Sequence, residues 1–115
     1  MPLLKLETTA VLSDEKKNAL VASLSRLVAG AIGKPEQYVM VVFSSAAILM
    51  SGSPGDAAFV DIRSIGGLSD AVNRQLSQKI CSLLKEILGV SADRIYLNFT
   101  DVPAGSWGWN SDTFG

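Results

Sequence analysis

Two stretches of the chain alternate apolar and polar residues with a period of two. Each is followed by a longer stretch in which apolar residues recur every three or four positions. In Pro2–Thr8, Leu4 and Leu6 share one face and Lys5 and Glu7 the other; in Ala58–Ser64, Val60 and Ile62 oppose Asp61 and Arg63. Both read as strands with one buried face. Beyond Ser13, Leu20, Leu24, Leu27, Val28 and Ala31 form one stripe of a helix, and beyond Ser69, Val72, Leu76, Ile80, Leu83, Leu84 and Ile87 form another. Ser13 and Ser69 are natural N-caps, each with an acidic residue in the first turn to complement the helix dipole. Gly33 and Gly89 stand where a left-handed residue would end each helix, and Pro35 follows the first stop. Second strands are expected at Tyr38–Phe43 and Arg94–Phe99, and Val39–Phe43 is apolar on both sides, as a strand buried on two faces would be.

The order strand–helix–strand therefore occurs twice. Leu12-Ser13-Asp14 returns as Leu68-Ser69-Asp70, Ile32-Gly33 as Leu88-Gly89, and Phe43 as Phe99, all at structural punctuation. Residues 1–115 are read as one domain built from a pseudo-repeat, 2–50 and 57–104, with a C-terminal tail, 105–115. Strand–helix–strand units of this length make right-handed crossovers between parallel strands. The predicted fold is α+β with two layers: a four-stranded mixed sheet and two antiparallel helices on one face. Nothing in the chain covers the opposite face, so a closed symmetric oligomer is expected. Ser51-Gly52-Ser53-Pro54-Gly55-Asp56 is a turn-rich connection without the lysine of a phosphate loop. In the tail, Trp107, Trp109 and Phe114 either cover a core edge or line a pocket.

Composition narrows the chemistry. The chain is 48% apolar, yet charged residues interrupt every apolar run before it is long enough to span a bilayer. The N-terminus has no signal-peptide pattern, so a cytoplasmic location is expected, with non-classical export left open. The formal net charge of −1, without a basic cluster, argues against nucleic acid as a partner. The single cysteine, Cys81, excludes an internal disulfide or a C-x-x-C site and is read as a small buried hydrophobe. No metal site and no cofactor are expected, and the sequon Asn98-Phe99-Thr100 is read as silent. There is no histidine, so the usual proton carrier near neutral pH is missing. An α-amino group, with an ordinary pKa of roughly 7.7–8.0, is the next candidate. Met1 is followed by Pro2, a small residue that permits methionine removal and would then expose a secondary amine on a rigid ring. That amine is a base at neutral pH only if burial or a neighbouring cation disfavours its charged form. Taken alone, Pro2 is also simply a common second residue.

Met1-Pro2, Gly33-Lys34-Pro35 with Tyr38, Ser64-Ile65-Gly66, Asp93-Arg94-Ile95-Tyr96 with Asn98, and Gly108-Trp109-Asn110 with Thr113-Phe114 occur in order along the chain. With the duplicated unit, this set resembles the macrophage migration inhibitory factor family of the tautomerase superfamily. The resemblance implies a homotrimer around a central channel and keto–enol tautomerisation of phenylpyruvate-like 2-oxo acids, making the chain a phenylpyruvate tautomerase. It implies Pro2 as the catalytic base, substrate binding by Lys34 and the Ile65 backbone, and Tyr96 and Asn98 reaching the pocket from a neighbouring subunit. Trp107, Trp109 and Phe114 would wall an aryl ring. Lys34 has a second reading, as an offset to the C-terminal dipole of the first helix, and Ile65-Gly66-Gly67 has one as an ordinary strand-to-helix turn with free N–H groups. Ala57 and Val60 stand where some relatives carry a C-x-x-C pair, so thiol oxidoreductase activity is not expected. Leu12 and Ala46 occupy places used for receptor contacts in the mammalian cytokines, which makes receptor binding doubtful, and Thr100 and Trp107 differ from the vertebrate side chains. The alternatives are a cytokine-like binding trimer with incidental tautomerase activity, and an enzyme acting on another 2-oxo or unsaturated acid. In the second case Asp61 and Arg63, the charged pair near the site, are instead expected to line the channel.

Overall fold

The computed structural model describes all residues, 1–115. Four strands, β1 (Pro2–Thr8), β2 (Met40–Ser45), β3 (Ala58–Ser64) and β4 (Ile95–Asp101), form one sheet in the order β2-β1-β3-β4. β1 runs parallel to β2, β3 runs parallel to β4, and the two pairs meet antiparallel along β1 and β3. Helices α1 (Asp14–Ile32) and α2 (Asp70–Leu88) bridge the parallel pairs, so the chain is a βαβ unit built twice. Ser13 Oγ accepts from the Lys16 N–H and Ser69 Oγ from the Val72 N–H, each satisfying a donor that the helix leaves unpaired. Both helices stop on left-handed glycines, Gly33 at φ 75° and Gly89 at φ 71°.

The alternation sorts the strands as predicted. Leu4, Leu6, Val60 and Ile62 are fully buried against Leu20, Leu24 and Val28 of α1 and Leu76, Ile80 and Leu84 of α2. Each such side chain contributes about 1.5–3 kcal/mol relative to leaving it in water. The opposite face is open. Its cross-strand rows are Met40, Leu3, Arg63 and Thr100; then Val42, Lys5, Asp61 and Asn98; then Ser44, Glu7, Phe59 and Tyr96. In the isolated chain Met40 is 62% exposed, Val42 37%, Phe59 36% and Tyr96 66%, so β2 is buried on its helix side only.

The bounds of both second strands differ from expectation. Both second strands begin later than the hydrophobic run suggests, because short 3-10 turns precede them. Tyr38 donates to the Pro35 carbonyl at 3.1 Å and Arg94 to the Ser91 carbonyl at 2.9 Å, which keeps Tyr38 and Arg94 out of the sheet. The strands also run further, to Ser45 and Asp101, because Thr8 pairs with Ser45 and Ser64 with Asp101. The tail is ordered: a 3-10 turn at Ala104–Ser106 leads into a hairpin of β5 (Gly108–Trp109) and β6 (Asp112–Thr113). Asn110 and Ser111, at φ 52° and 67°, make its tight turn, a twist suited to joining two adjacent strands. Asp61 and Arg63 lie two residues apart on the open face of β3. Their 3.2 Å ion pair is accompanied there by Lys5 and Glu7 at 3.8 Å.

Candidate functional site

The start of β1 lies at the bottom of a cleft of about 680 Å³. Pro2 is buried there, paired with Ser64 of β3. Tyr38, Val39 and Met40, where the chain enters β2, and Trp107, Trp109 and Phe114 from the tail, line it as well. Sheet register explains the first group, since Met40 sits beside Leu3 at the edge of the sheet. The tail hairpin explains the second: Phe114 N–H donates to the Trp107 carbonyl at 3.2 Å, and the rings of Trp109 and Phe114 stack with centroids 5.8 Å apart. The cleft is thus mostly apolar and rich in aromatic side chains, a lining that suits an aryl ring.

Lys34 and Ile65 are not among the residues that line this cleft; each is tied to it through Met1, Ile65 by its N–H and Lys34 by its charge. The Lys34 N–H bonds the Ala29 carbonyl at 3.1 Å as α1 ends, which fixes where its side chain departs. That side chain passes over Gly66 and Gly67. A Cβ on Gly66 would lie 3.9 Å from Lys34 Nζ, and one on Gly67 would lie 2.5 Å from Ile32 Cγ2. The three ion pairs of the chain, Lys5–Glu7, Lys17–Asp14 and Arg63–Asp61, do not include Lys34. Its charge is close enough to the Met1 amine to act on it electrostatically. Burial, and after it the Lys34 charge, hold the Met1 α-amine below its ordinary pKa.

The Ser64–Gly67 turn is more constrained than a run of free N–H groups. Ile65 N–H points at the Met1 carbonyl, 3.4 Å away, whereas Gly66 N–H is taken by Asp101 Oδ1 at 3.0 Å. Ser64 Oγ donates to the Gly66 carbonyl at 2.7 Å, and Val102 N–H closes on the Ser64 carbonyl at 2.9 Å. Of the turn's first two N–H groups, therefore, Ile65 alone is aimed at the N-terminus.

Pro2, Trp107, Trp109 and Phe114 line one cleft within one protomer, and Lys34 and Ile65 reach it only through Met1. Tyr96 and Asn98 do neither: both are exposed on the open face of β4, away from the Pro2 cleft of their own chain. Tyr38, Met40 and Asp101 were not singled out as site residues from sequence. The ring of Tyr38 three residues after Pro35 was a usable signal; Asp101 gave none, because its role depends on register. Cys81 is half-buried within α2, and burial raises its thiol pKa, as expected of a packing residue. No group of three or more Cys, Asp or Glu side chains converges to hold a metal ion.

The whole chain, residues 1–115, matches the family described as macrophage migration inhibitory factor. It is 37% identical over 115 residues to the macrophage migration inhibitory factor of Meriones unguiculatus, covering 99% of each chain. It is 35% identical over 115 residues to a homologue from Trichuris trichiura, covering 99% of this chain and all of that one. A solved homologue from Prochlorococcus marinus superposes with a TM-score of 0.93 at 36% identity, over 98% of this chain and 99% of the other.

Proposed function

The chain belongs to the macrophage migration inhibitory factor family, and from that membership we propose that it is a keto–enol tautomerase of phenylpyruvate-like 2-oxo acids. Methionine removal frees the Pro2 nitrogen, which stays neutral in the apolar cleft and takes a proton from the carbon next to the substrate carbonyl. The electron pair left behind moves to the carbonyl oxygen, giving an enolate that is then protonated to the enol. Lys34 and the Ile65 N–H hold the substrate carboxylate, and the walls of Trp107, Trp109 and Phe114 hold its ring. Tyr96 and Asn98, arriving from an adjoining protomer of a homotrimer, meet the oxygen on which charge develops.

One observation carries this reading. The Met1 amine, one residue ahead of Pro2, lines a mostly apolar cleft, and burial and then the Lys34 charge disfavour its cation; in the proposed mature protein the Pro2 nitrogen takes its place under the same two influences. The test follows enol formation from phenylpyruvate by absorbance, using protein whose N-terminus has been verified by mass. Methionine-free protein is expected to turn over. Pro2→Gly, or a methionine-retaining form in which the Pro2 nitrogen is an amide, is expected to lose about 100-fold or more, the usual contribution of a positioned base. Equal turnover by the methionine-retaining form would remove Pro2 from the mechanism.

A further inference from the structure

Asp101 ends β4 at the point where the chain turns toward the aromatic tail, and no step of the proposed reaction uses it. Its carboxylate is the acceptor that holds the Gly66 N–H at 3.0 Å. The residue after it, Val102, bonds the Ser64 carbonyl at 2.9 Å, so the end of β4 grips the Ser64–Gly67 turn at two points. A third tie comes from inside the turn, where the buried Ser64 hydroxyl donates to the Gly66 carbonyl at 2.7 Å. Gly66 and Gly67 both have positive φ, 71° and 82°, so without these ties the backbone there has wide freedom. With them, one N–H of the turn is occupied and the next one back, Ile65, is aimed at an oxygen: the Met1 carbonyl, at 3.4 Å.

We propose that Asp101 is a positioning residue, which sets the direction of the Ile65 N–H by occupying the Gly66 N–H and so fixes the carboxylate end of the substrate. The inference rests on the proposed role of the Ile65 N–H as a carboxylate donor. Asp101 acts here through an acceptor oxygen, and its charge is not required. An asparagine at this position keeps the acceptor, whereas an alanine leaves the Gly66 N–H without one.

The test uses methionine-free protein and 3-phenylpropanoate, a carboxylate with the same aryl end that cannot enolise. Binding is read from the backbone amide resonances of Ile65 and Gly66. In the wild type the Ile65 amide is expected to shift on titration. D101A is expected to bind about three- to tenfold more weakly, the worth of one hydrogen bond in orientation, and D101N to bind within about twofold of wild type. With phenylpyruvate the same factors should appear in KM, while the acidic limb of the pH profile stays in place because the amine is untouched. Should D101A fail to fold, S64A loosens the same turn from the other side and is expected to weaken binding in the same direction. Wild-type affinity in D101A or S64A, an equal loss in D101N and D101A, or an Ile65 amide that does not respond to the probe would each overturn the proposal. A wild type that binds the probe with this dependence on Asp101, yet does not turn over phenylpyruvate, would remove the tautomerase reading and leave the role of Asp101 standing.

Discussion

Lys34 shows how one residue can serve two ends of a reaction. Its charge has no ion-pair partner and acts on the Met1 amine, so in the proposed reaction it would both attract an anion into the cleft and repel a proton from the amine. The sign of the second effect is definite. A cation beside the amine lowers its pKa, and the base is active when neutral, so activity should fall as pH drops through that lowered value. Replacing Lys34 with Gln removes the repulsion, so the acidic limb of kcat/KM for phenylpyruvate is expected to move to higher pH. KM is expected to rise by roughly tenfold or more with loss of a charge-assisted contact. A limb that stays in place would show that burial alone sets the amine. The same shift bears on folding. An amine with a depressed folded pKa costs stability below that value, and the cost disappears as pH rises through the interval up to its ordinary value.

At the scale of elements, Arg94 ties the connection between β2 and β3 to the start of β4. Its guanidinium donates to the carbonyls of Met50 at 2.9 Å, Ser53 at 3.1 Å, Asp56 at 3.2 Å and Gly55 at 3.4 Å. A lysine ammonium has no planar fork with which to meet four carbonyls arranged around it. R94K is therefore expected to speed amide hydrogen exchange across residues 50–56 and to cost about 1–2 kcal/mol in urea unfolding, less than a fully buried charged bond because Arg94 is only half-buried. Unchanged exchange in that segment would mean that its own turns hold it. Arg94 also shows where sequence reading reaches its limit. The caps Ser13 and Ser69, the stops Gly33 and Gly89 and the leucine stripes were legible because each follows from neighbours a few residues away. Tyr38 and Arg94 were placed in strands because apolar runs do not mark a 3-10 turn made by backbone bonds alone. The tail hairpin was missed because Asn110-Ser111 lacks the glycine that usually announces such a turn. For the site, Pro2 was legible from the missing histidine and its place after Met1, and Lys34 and the aromatic tail through a resemblance; Pro2 and the tail aromatics line one cleft, while Lys34 acts on it from outside the lining. The part played by Asp101 was invisible, since it arises from the pairing of β3 with β4.

At the scale of the molecule, the sheet has a helix-covered face and an open one, and the open face presents Met40, Val42, Phe59 and Tyr96. In the proposed trimer this face turns inward, and Tyr96 and Asn98 complete the cleft of a neighbour. Val42 lies on the edge strand β2, and a charge placed on that apolar edge would lose its hydration in the proposed assembly, so V42D is expected to dissociate it in light scattering and to lower turnover with it. A wild type that runs as a stable monomer would contradict the arrangement. Closure by a neighbour matters most for the catalyst, because each apolar surface added around the terminus further disfavours its cation. The most direct test is titration of the Pro2 nitrogen itself, by nitrogen NMR on methionine-free protein labelled at proline. The account predicts a nitrogen that loses its proton below the ordinary range for an α-amine; one still protonated well above neutrality would contradict it.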